Sequence, residues 1–247
     1  MKHDVFGVRV SPLRMHELVE RLAREDGNRP RMVFTMNLDH VVQMQRNPQF
    51  CDAYASADVV TIDGAPVLAY ARARGAAVEK VTGSDLFEKL IPRLVPGQHR
   101  LFFALSSRAL CDLMRDRLMA GGFAPDALAF AVPPLGFEYD VAASRELAMQ
   151  VRAFAPTHTF LCVGSPKSEI WCMRHRDALG DSTALCVGAS AEFHLGVKRR
   201  APALMRRSGL EWLWRWMQEP RRLFRRYFVS SWRFFGAVWA DILPRHR

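Results

Sequence analysis

HTFLCVGSPKSEIWCMRHRDALG, residues 158–180, holds two periods side by side. HTFLCVG is an unbroken apolar run with no polar alternation, as a strand buried on both faces requires. Gly164 then turns the chain. Ser165 reads as a helix N-cap and Pro166 as the first helical position, opening a helical stretch to Gly180. A second short apolar run, TALCVG (183–188), follows at once. The same order recurs upstream. RMVFTMN (31–37) precedes LDHVVQMQRN, ADVVTI (57–62) precedes DGAPVLAYARARG, and HRLFFAL (99–105) precedes SSRALCDLMRDRLMAGG. ALAFAV (127–132) precedes, after two prolines, VAASRELAMQVRAFA. Buried strands alternating with helices of this length imply an α/β fold, a mostly parallel sheet with helices on both faces. Ligands of such sheets bind beyond the carboxyl ends of the strands. The polar residues just after each apolar run, Thr35, Asn37, Asp63, Gly64, Ser106, Gly164, Ser165 and Lys167, are therefore the first candidates for a site.

After Gly188 the alternation stops. The chain has 247 residues and a net charge of +10, and the charge is localised. Residues 1–197 carry 22 Lys/Arg and 22 Asp/Glu, whereas residues 198–247 carry 13 against 3. The sequence divides into a neutral body, 1–197, and a basic, aromatic helical C-terminal appendage, 198–247, with five of the six tryptophans. Such an appendage suits a polyanionic partner: an anionic membrane surface, a nucleic acid or a phosphorylated substrate. On a helical wheel begun at Arg221, the arginines 221, 222, 225, 226 and 233 share one arc, and Leu223, Phe224, Tyr227, Phe228, Phe234, Phe235, Val238 and Trp239 fill the other side. An interfacial helix has this pattern, with Trp232, Phe235 and Trp239 at headgroup level; a helix packed on the body with a solvated basic face has it too. FFGAVWA, bracketed by Arg233 and Asp241, is too short to span a bilayer. MKHDVFGVRV has no apolar core of a secretory signal, and the five cysteines lack C-x-x-C spacing. A protein of the cytoplasm, peripheral on the inner face of the membrane, with reduced thiols, is expected.

The sequence has no G-x-G-x-x-G, Walker loop, G-x-S-x-G or H-E-x-x-H, and its eight histidines are not spaced as zinc ligands. It also has no D-x-D to hold a metal-bound nucleotide diphosphate, so neither metal nor cofactor is expected. Asp63 after VVTI either caps the next helix or stands at the sheet edge as a general base, with Gly64 making the turn. Thr35 and Asn37 offer hydrogen bonds to a sugar or base. Gly164, Ser165 and Lys167 make either a plain helix start or an anion site for a diphosphate.

Six stretches resemble, in order and spacing, the WecG/TagA/CpsF family of bacterial glycosyltransferases. They are FTMNLDH (34–40), ADVVTIDGAPV (57–67), EKVTGSDLFEKL (79–90), VGSPKSEIW (163–171), VGASAEFHLGVKRRAP (187–202) and GLEWLWRWMQEPRRLFRRY (209–227). The resemblance runs from about Arg31 to Tyr227 and implies a Rossmann-like sheet. It implies transfer of a hexose or N-acetylhexosamine from a UDP-sugar to a polyprenyl-diphosphate-linked acceptor with inversion, in surface-glycan or exopolysaccharide assembly. Asp63 then takes the catalytic base role, while Thr35 and Asn37 line the donor site. Arg215, Arg222 and Arg225 match the basic residues that reach the leaving diphosphate. Without a metal, arginines must supply the positive charge, and their planar forks pair with phosphate oxygens.

Two positions depart from the family pattern. Lys80 stands where the family tends to carry arginine, and Ser168 stands where it usually has a glutamine on the donor, which bears on the choice of sugar. A non-catalytic scaffold and a nucleic-acid-binding module are the rival readings. The paired Asp63 and Thr35/Asn37 argue against nucleic acid, and the exposed aromatics also allow a homo-oligomer.

Overall fold

Each apolar run named above becomes a strand of one parallel sheet. The computed structural model describes residues 4–24, 29–202, 204–205, 211–218, 220 and 231–242. A small antiparallel hairpin, β1 (Asp4–Val5) and β2 (Val8–Arg9), and helix α1 (Met15–Ala23) lead into the sheet. Its strands are β3 (Met32–Met36), β4 (Val59–Ile62), β5 (Leu101–Ala104), β6 (Leu128–Ala131), β7 (His158–Leu161) and β8 (Thr183–Cys186). They lie in the order β4-β3-β8-β7-β5-β6, every pair parallel. Between β7 and β5 the connections leave in opposite directions, β5 outward to β6 and β7 inward to β8, which makes this the topological switch point where open α/β sheets bind ligands.

Successive strand residues face opposite sides, which gives the sheet two apolar layers. Phe34, Met36, Ile62, Phe102 and Leu161 pack with α2 (Leu38–Met44), α3 (Pro48–Ala55), α4 (Ala65–Ala73), α7 (Val141–Phe154) and α8 (Lys167–Arg174). Val33, Val59, Leu101, Phe103, Phe160 and Leu185 pack with α1, α5 (Gly83–Leu90), α6 (Arg108–Ala120) and α9 (Ser190–His194). The Phe103 ring stacks between those of Phe130 and Phe160, at 5.6 and 4.8 Å between centroids. The α/β architecture expected from the sequence is thus the observed one.

Local details differ from the sequence reading. The helix expected over 38–47 ends at Met44, and Asn47–Pro48 starts another: Asn47 accepts a hydrogen bond from the Phe50 backbone N–H at 3.2 Å. Ser165 is not an N-cap. The helix begins at Lys167 with Pro166 in the cap position, and Ser165 Oγ has no hydrogen-bond partner. Four cysteines are buried and Cys51 is exposed; Cys172 and Cys186 sulfurs lie 3.7 Å apart as thiols.

Two helices of the appendage are described, α10 (Glu211–Gln218) and α11 (Ser231–Ile242). Helix α11 packs on α2, with Phe234 and Ala237 buried and Phe234 against Phe6. The Tyr70 hydroxyl donates to Asp241 at 2.8 Å; burial first, and then that bond, push the phenol up to about 12. Residues 221–230, most of the helical wheel, lie outside the described residues. Over α11 one side is seated on the body, while Trp232, Phe235, Trp239 and Ile242 are exposed. At 100° per residue these four share an arc of about 80°, opposite Phe234, Ala237 and Asp241. No helix among the described residues is long and apolar enough to cross a membrane.

Candidate active site

The carboxyl edge of the sheet gathers the candidates by simple chain geometry. Asp63 follows the last residue of β4, and its backbone N–H donates to the Met36 carbonyl at 2.8 Å, continuing the β3–β4 ladder by one step. Asp63 therefore sits level with Asn37 on the neighbouring strand end. The next residue, Gly64, has φ +107°, a region costly for a side chain, and a Cβ there would meet nothing within 4 Å. Backbone conformation alone demands glycine at this turn. Gly64 also occupies the cap position of α4, so the capping role open to Asp63 falls to a residue without a side chain.

Lys80 comes to the same place from the far side. Ile62 and Lys80 form a parallel bridge beyond the β4 edge, and the Val81 N–H donates to the Ile62 carbonyl at 2.9 Å. Thr61 Oγ1 donates to the Val81 carbonyl, also at 2.9 Å, which fixes this segment before α5 begins. Thr82 caps α5 by accepting from the Asp85 N–H at 3.0 Å. The first turn of α5 then runs against the sheet: a Cβ on Gly83 would lie 3.3 Å from Val187 Cα and 3.4 Å from Thr35 Oγ1.

Thr35 is buried at the end of β3. Asn37 caps α2, its side-chain oxygen accepting from the His40 N–H at 3.1 Å. Gly164, with φ +87°, and Lys167 stand half-buried after β7, at the switch point. Ser168 is buried, and its hydroxyl donates to the Gly164 carbonyl at 3.2 Å within its own turn. The neighbouring Glu169 went unnoticed in the sequence, where it reads as an ordinary first-turn acid. It is 2% exposed, and one carboxyl oxygen, Oε2, has no hydrogen-bond partner. Burial pushes this carboxyl up to about 7, against its own backbone N–H, which favours the ionised form. Its charge and that of Asp63 are both felt at Tyr54 on α3, whose phenol is raised mainly by burial and next by Glu169. The structure thus brings Asp63, Thr35, Asn37, Gly64 and Lys80 to one end of β3 and β4, with Gly164, Lys167 and Ser168 two strands away after β7.

The model of the glycosyl transferase WecG/TagA/CpsF family matches residues 3–247. The chain belongs to the WecG/TagA/CpsF family. Among relatives of this family, an N-acetylglucosaminyldiphosphoundecaprenol N-acetyl-beta-D-mannosaminyltransferase of Bacillus spizizenii is 25% identical over 198 residues, 80% of this chain and 75% of that protein. A protein of the same name from Staphylococcus aureus is 22% identical over 232 residues, 91% of this chain and 87% of its own.

The chain beyond α9 is linked to α5 through Arg200. This guanidinium pairs with Asp85 at 2.5 Å and Glu88 at 2.6 Å, both on α5. The Arg199 carbonyl in turn accepts from Trp214 Nε1 at 3.2 Å and Gln218 Nε2 at 3.1 Å, which anchors α10. Arg215 lies within the span of α10. Arg222 and Arg225 lie outside the described residues. No three His, Cys, Asp or Glu side chains among the described residues gather as metal ligands would.

Proposed function

We propose that this protein moves an N-acetylhexosamine from a UDP-sugar to a polyprenyl-diphosphate-linked sugar, with inversion. The observation that carries the reading is the placement of Asp63 at the carboxyl end of β4, beside Asn37 and Lys80, in a chain of this family. Relatives named for transferring N-acetylmannosamine to N-acetylglucosaminyldiphosphoundecaprenol support both the donor class and the acceptor class. In the reaction, an acceptor hydroxyl attacks the anomeric carbon as Asp63 takes its proton. The bond from that carbon to the diphosphate breaks, and its electron pair leaves with UDP. Charge then grows on the leaving phosphate, where Arg215, Arg222 and Arg225 of the appendage act as counter-charge. Lys80 and the Gly164–Lys167 turn supply further positive potential at the same edge.

The exposed stripe of Trp232, Phe235, Trp239 and Ile242 is the membrane face in this reading, which puts the body, 1–197, on the inner membrane surface and the appendage between it and the lipid. Ser168 bears on the donor through the Gly164 turn that its hydroxyl holds. The test offers UDP-N-acetylmannosamine, UDP-N-acetylglucosamine and UDP-glucose with a short-chain polyprenyl-diphosphate N-acetylglucosamine, in phosphatidylglycerol vesicles. An acceptor heavier by one N-acetylhexosamine, absent with Asp63→Asn, is the expected product. Vesicle binding should weaken when Trp232 and Trp239 become alanine. Transfer from none of the three donors, or full transfer by Asp63→Asn, would overturn the proposal and leave a scaffold as the better reading.

A further inference from the structure

Below Asn37 lies a run of buried polar groups that the reaction itself does not use. The Asn37 amide is held at both of its ends by a single residue. Its oxygen accepts from the His40 backbone N–H, and its nitrogen, Nδ2, stands 3.4 Å from His40 Nε2. An amide nitrogen can only donate, so Nε2 must be the unprotonated nitrogen of the ring. The proton then belongs on Nδ1, which donates to the Tyr54 hydroxyl at 2.6 Å. The Tyr54 hydroxyl, in turn, donates to the Thr35 carbonyl at 3.3 Å. Every donor meets an acceptor in one direction only, from Asn37 through His40 and Tyr54 to the end of β3. An imidazolium would set an N–H against the Asn37 NH₂ and break the series at its first step.

Packing removes the other options. His40 and Tyr54 are buried, and Phe50, one turn before Tyr54 on α3, meets the imidazole edge-on at 5.7 Å and 90°. The Phe50 and Tyr54 rings are themselves edge-to-face at 5.1 Å. The imidazole is therefore gripped between two aromatic side chains of one helix, and its rotation is coupled to α3. Asn37 keeps a second Nδ2 hydrogen that no group among the described residues accepts. Its direction is set by the two bonds to His40.

We propose that His40 and Tyr54 are positioning residues that hold the Asn37 carboxamide so that its remaining N–H is aimed at the sugar donor. The inference rests on the donor reading given above for Asn37. Nitrogen-15 spectra of the imidazole in the full chain at neutral pH test the relay without any substrate. A neutral ring protonated on Nδ1 is expected; a ring protonated on Nε2, or on both nitrogens, overturns the proposal. Kinetics with UDP-N-acetylmannosamine test its consequence. In His40→Gln the side-chain oxygen reaches the place of Nε2 and still accepts from Asn37, so KM should stay within about 3-fold of wild type. In His40→Asn that acceptor is lost, and KM should rise by roughly 10-fold with kcat within about 3-fold, as for lost ground-state binding. Equal KM in the two variants, after both are shown to fold by thermal unfolding, means that His40 only fills space and sinks the idea. Should the wild type transfer from no UDP-sugar, the donor reading fails, and the ring spectra still decide the relay.

Discussion

The two ends of the sheet treat a carboxylate in opposite ways. At the amino end Asp58, just before β4, has both oxygens engaged. One accepts from the backbone N–H groups of Arg31 and Met32 at 3.0 and 2.9 Å, and the other pairs with Arg176 at 2.9 Å. Arg176 also donates to the Ser56 carbonyl, and its own carbonyl accepts from Arg31 Nη2, each at 2.9 Å. This carboxylate stitches the starts of β3 and β4 to the turn after α8. At the carboxyl end Glu169 is deeper, yet one of its oxygens bonds to nothing, and the Ser165 hydroxyl beside it is equally unmatched. Buried polar groups are nearly always paired where only stability is at stake. The contrast lies between the two carboxylates: Asp58 is matched by groups of its own fold, while Glu169 keeps a buried oxygen open at the edge where the candidate site lies.

The largest expected effect sets Asp63 against Asp58. Asp63→Asn keeps the shape of the β4 turn and removes the base, so transfer should fall by ~10²–10⁴-fold while thermal unfolding stays where it was. Turnover above a tenth of wild type would mean that the carboxyl end does not depend on this carboxylate.

Buried ionisable groups at the two ends should also tilt stability in opposite directions with pH. His158 begins β7 at the amino end, bonded to the Leu22 carbonyl at 2.9 Å, and burial pushes it down to about 3. The unfolded imidazole binds a proton near 6.5, so stability is full above that value and falls as pH drops toward 3. The full swing is about 5 kcal/mol for one proton over this span. Glu169 keeps its proton up to about 7 in the folded chain, while the unfolded side chain loses it near 4.5. Its contribution is full below 4.5 and is lost as pH rises to 7, a swing of about 3 kcal/mol. Denaturant titrations across pH should therefore flatten on the alkaline side in Glu169→Gln and on the acid side in His158→Gln. A Glu169→Gln protein no more stable than wild type at pH 8 would mean that the folded carboxylate finds a partner after all.

How much of this was legible in the sequence follows the same division. Strands were legible because a parallel sheet buried on both faces writes its interior as continuous apolar runs, VVTI and HTFL among them. Asp63, Gly64 and the Thr35/Asn37 pair were legible because they follow such runs directly, where the chain must leave the sheet. Helix α3 went unnamed, since the stretch read as helical stopped at Asn47, although Asn-Pro is itself a capping signal for a new helix. His40 and Glu169 were not legible as parts of the site. An acid in the first turn of a helix is ordinary, and only the packing of α8 against α3 and β8 reveals that it is buried. His40 reads as one apolar-face residue of α2 until Tyr54, fourteen positions on, is folded against it.

Asp58→Ala comes next in size. It leaves two backbone N–H groups and Arg176 without their acceptor, at a site about one-third exposed, so about 2 kcal/mol of stability should go. Turnover per folded molecule should not change, since nothing at the carboxyl end touches Asp58. A drop in kcat at full folding would join the two ends that the structure keeps apart.

The smallest change probes the carboxyl end without emptying any site. Gly83→Ala adds one methyl in the first turn of α5, 3.3 Å from Val187 Cα and 3.4 Å from Thr35 Oγ1. One neighbour is backbone and the other a short β-branched side chain, so neither can swing aside; each must shift by a few tenths of an ångström. That crowding costs on the order of 1 kcal/mol, and alanine's greater helix propensity offsets up to about as much. The midpoint of thermal unfolding should hardly move. Thr35, however, is displaced at the end of β3, next to Asn37, and donor KM should rise by a few fold. A lower midpoint with unchanged KM would give the opposite lesson: Gly83 would then be packing like any other, and the carboxyl end no more finely placed than the amino end.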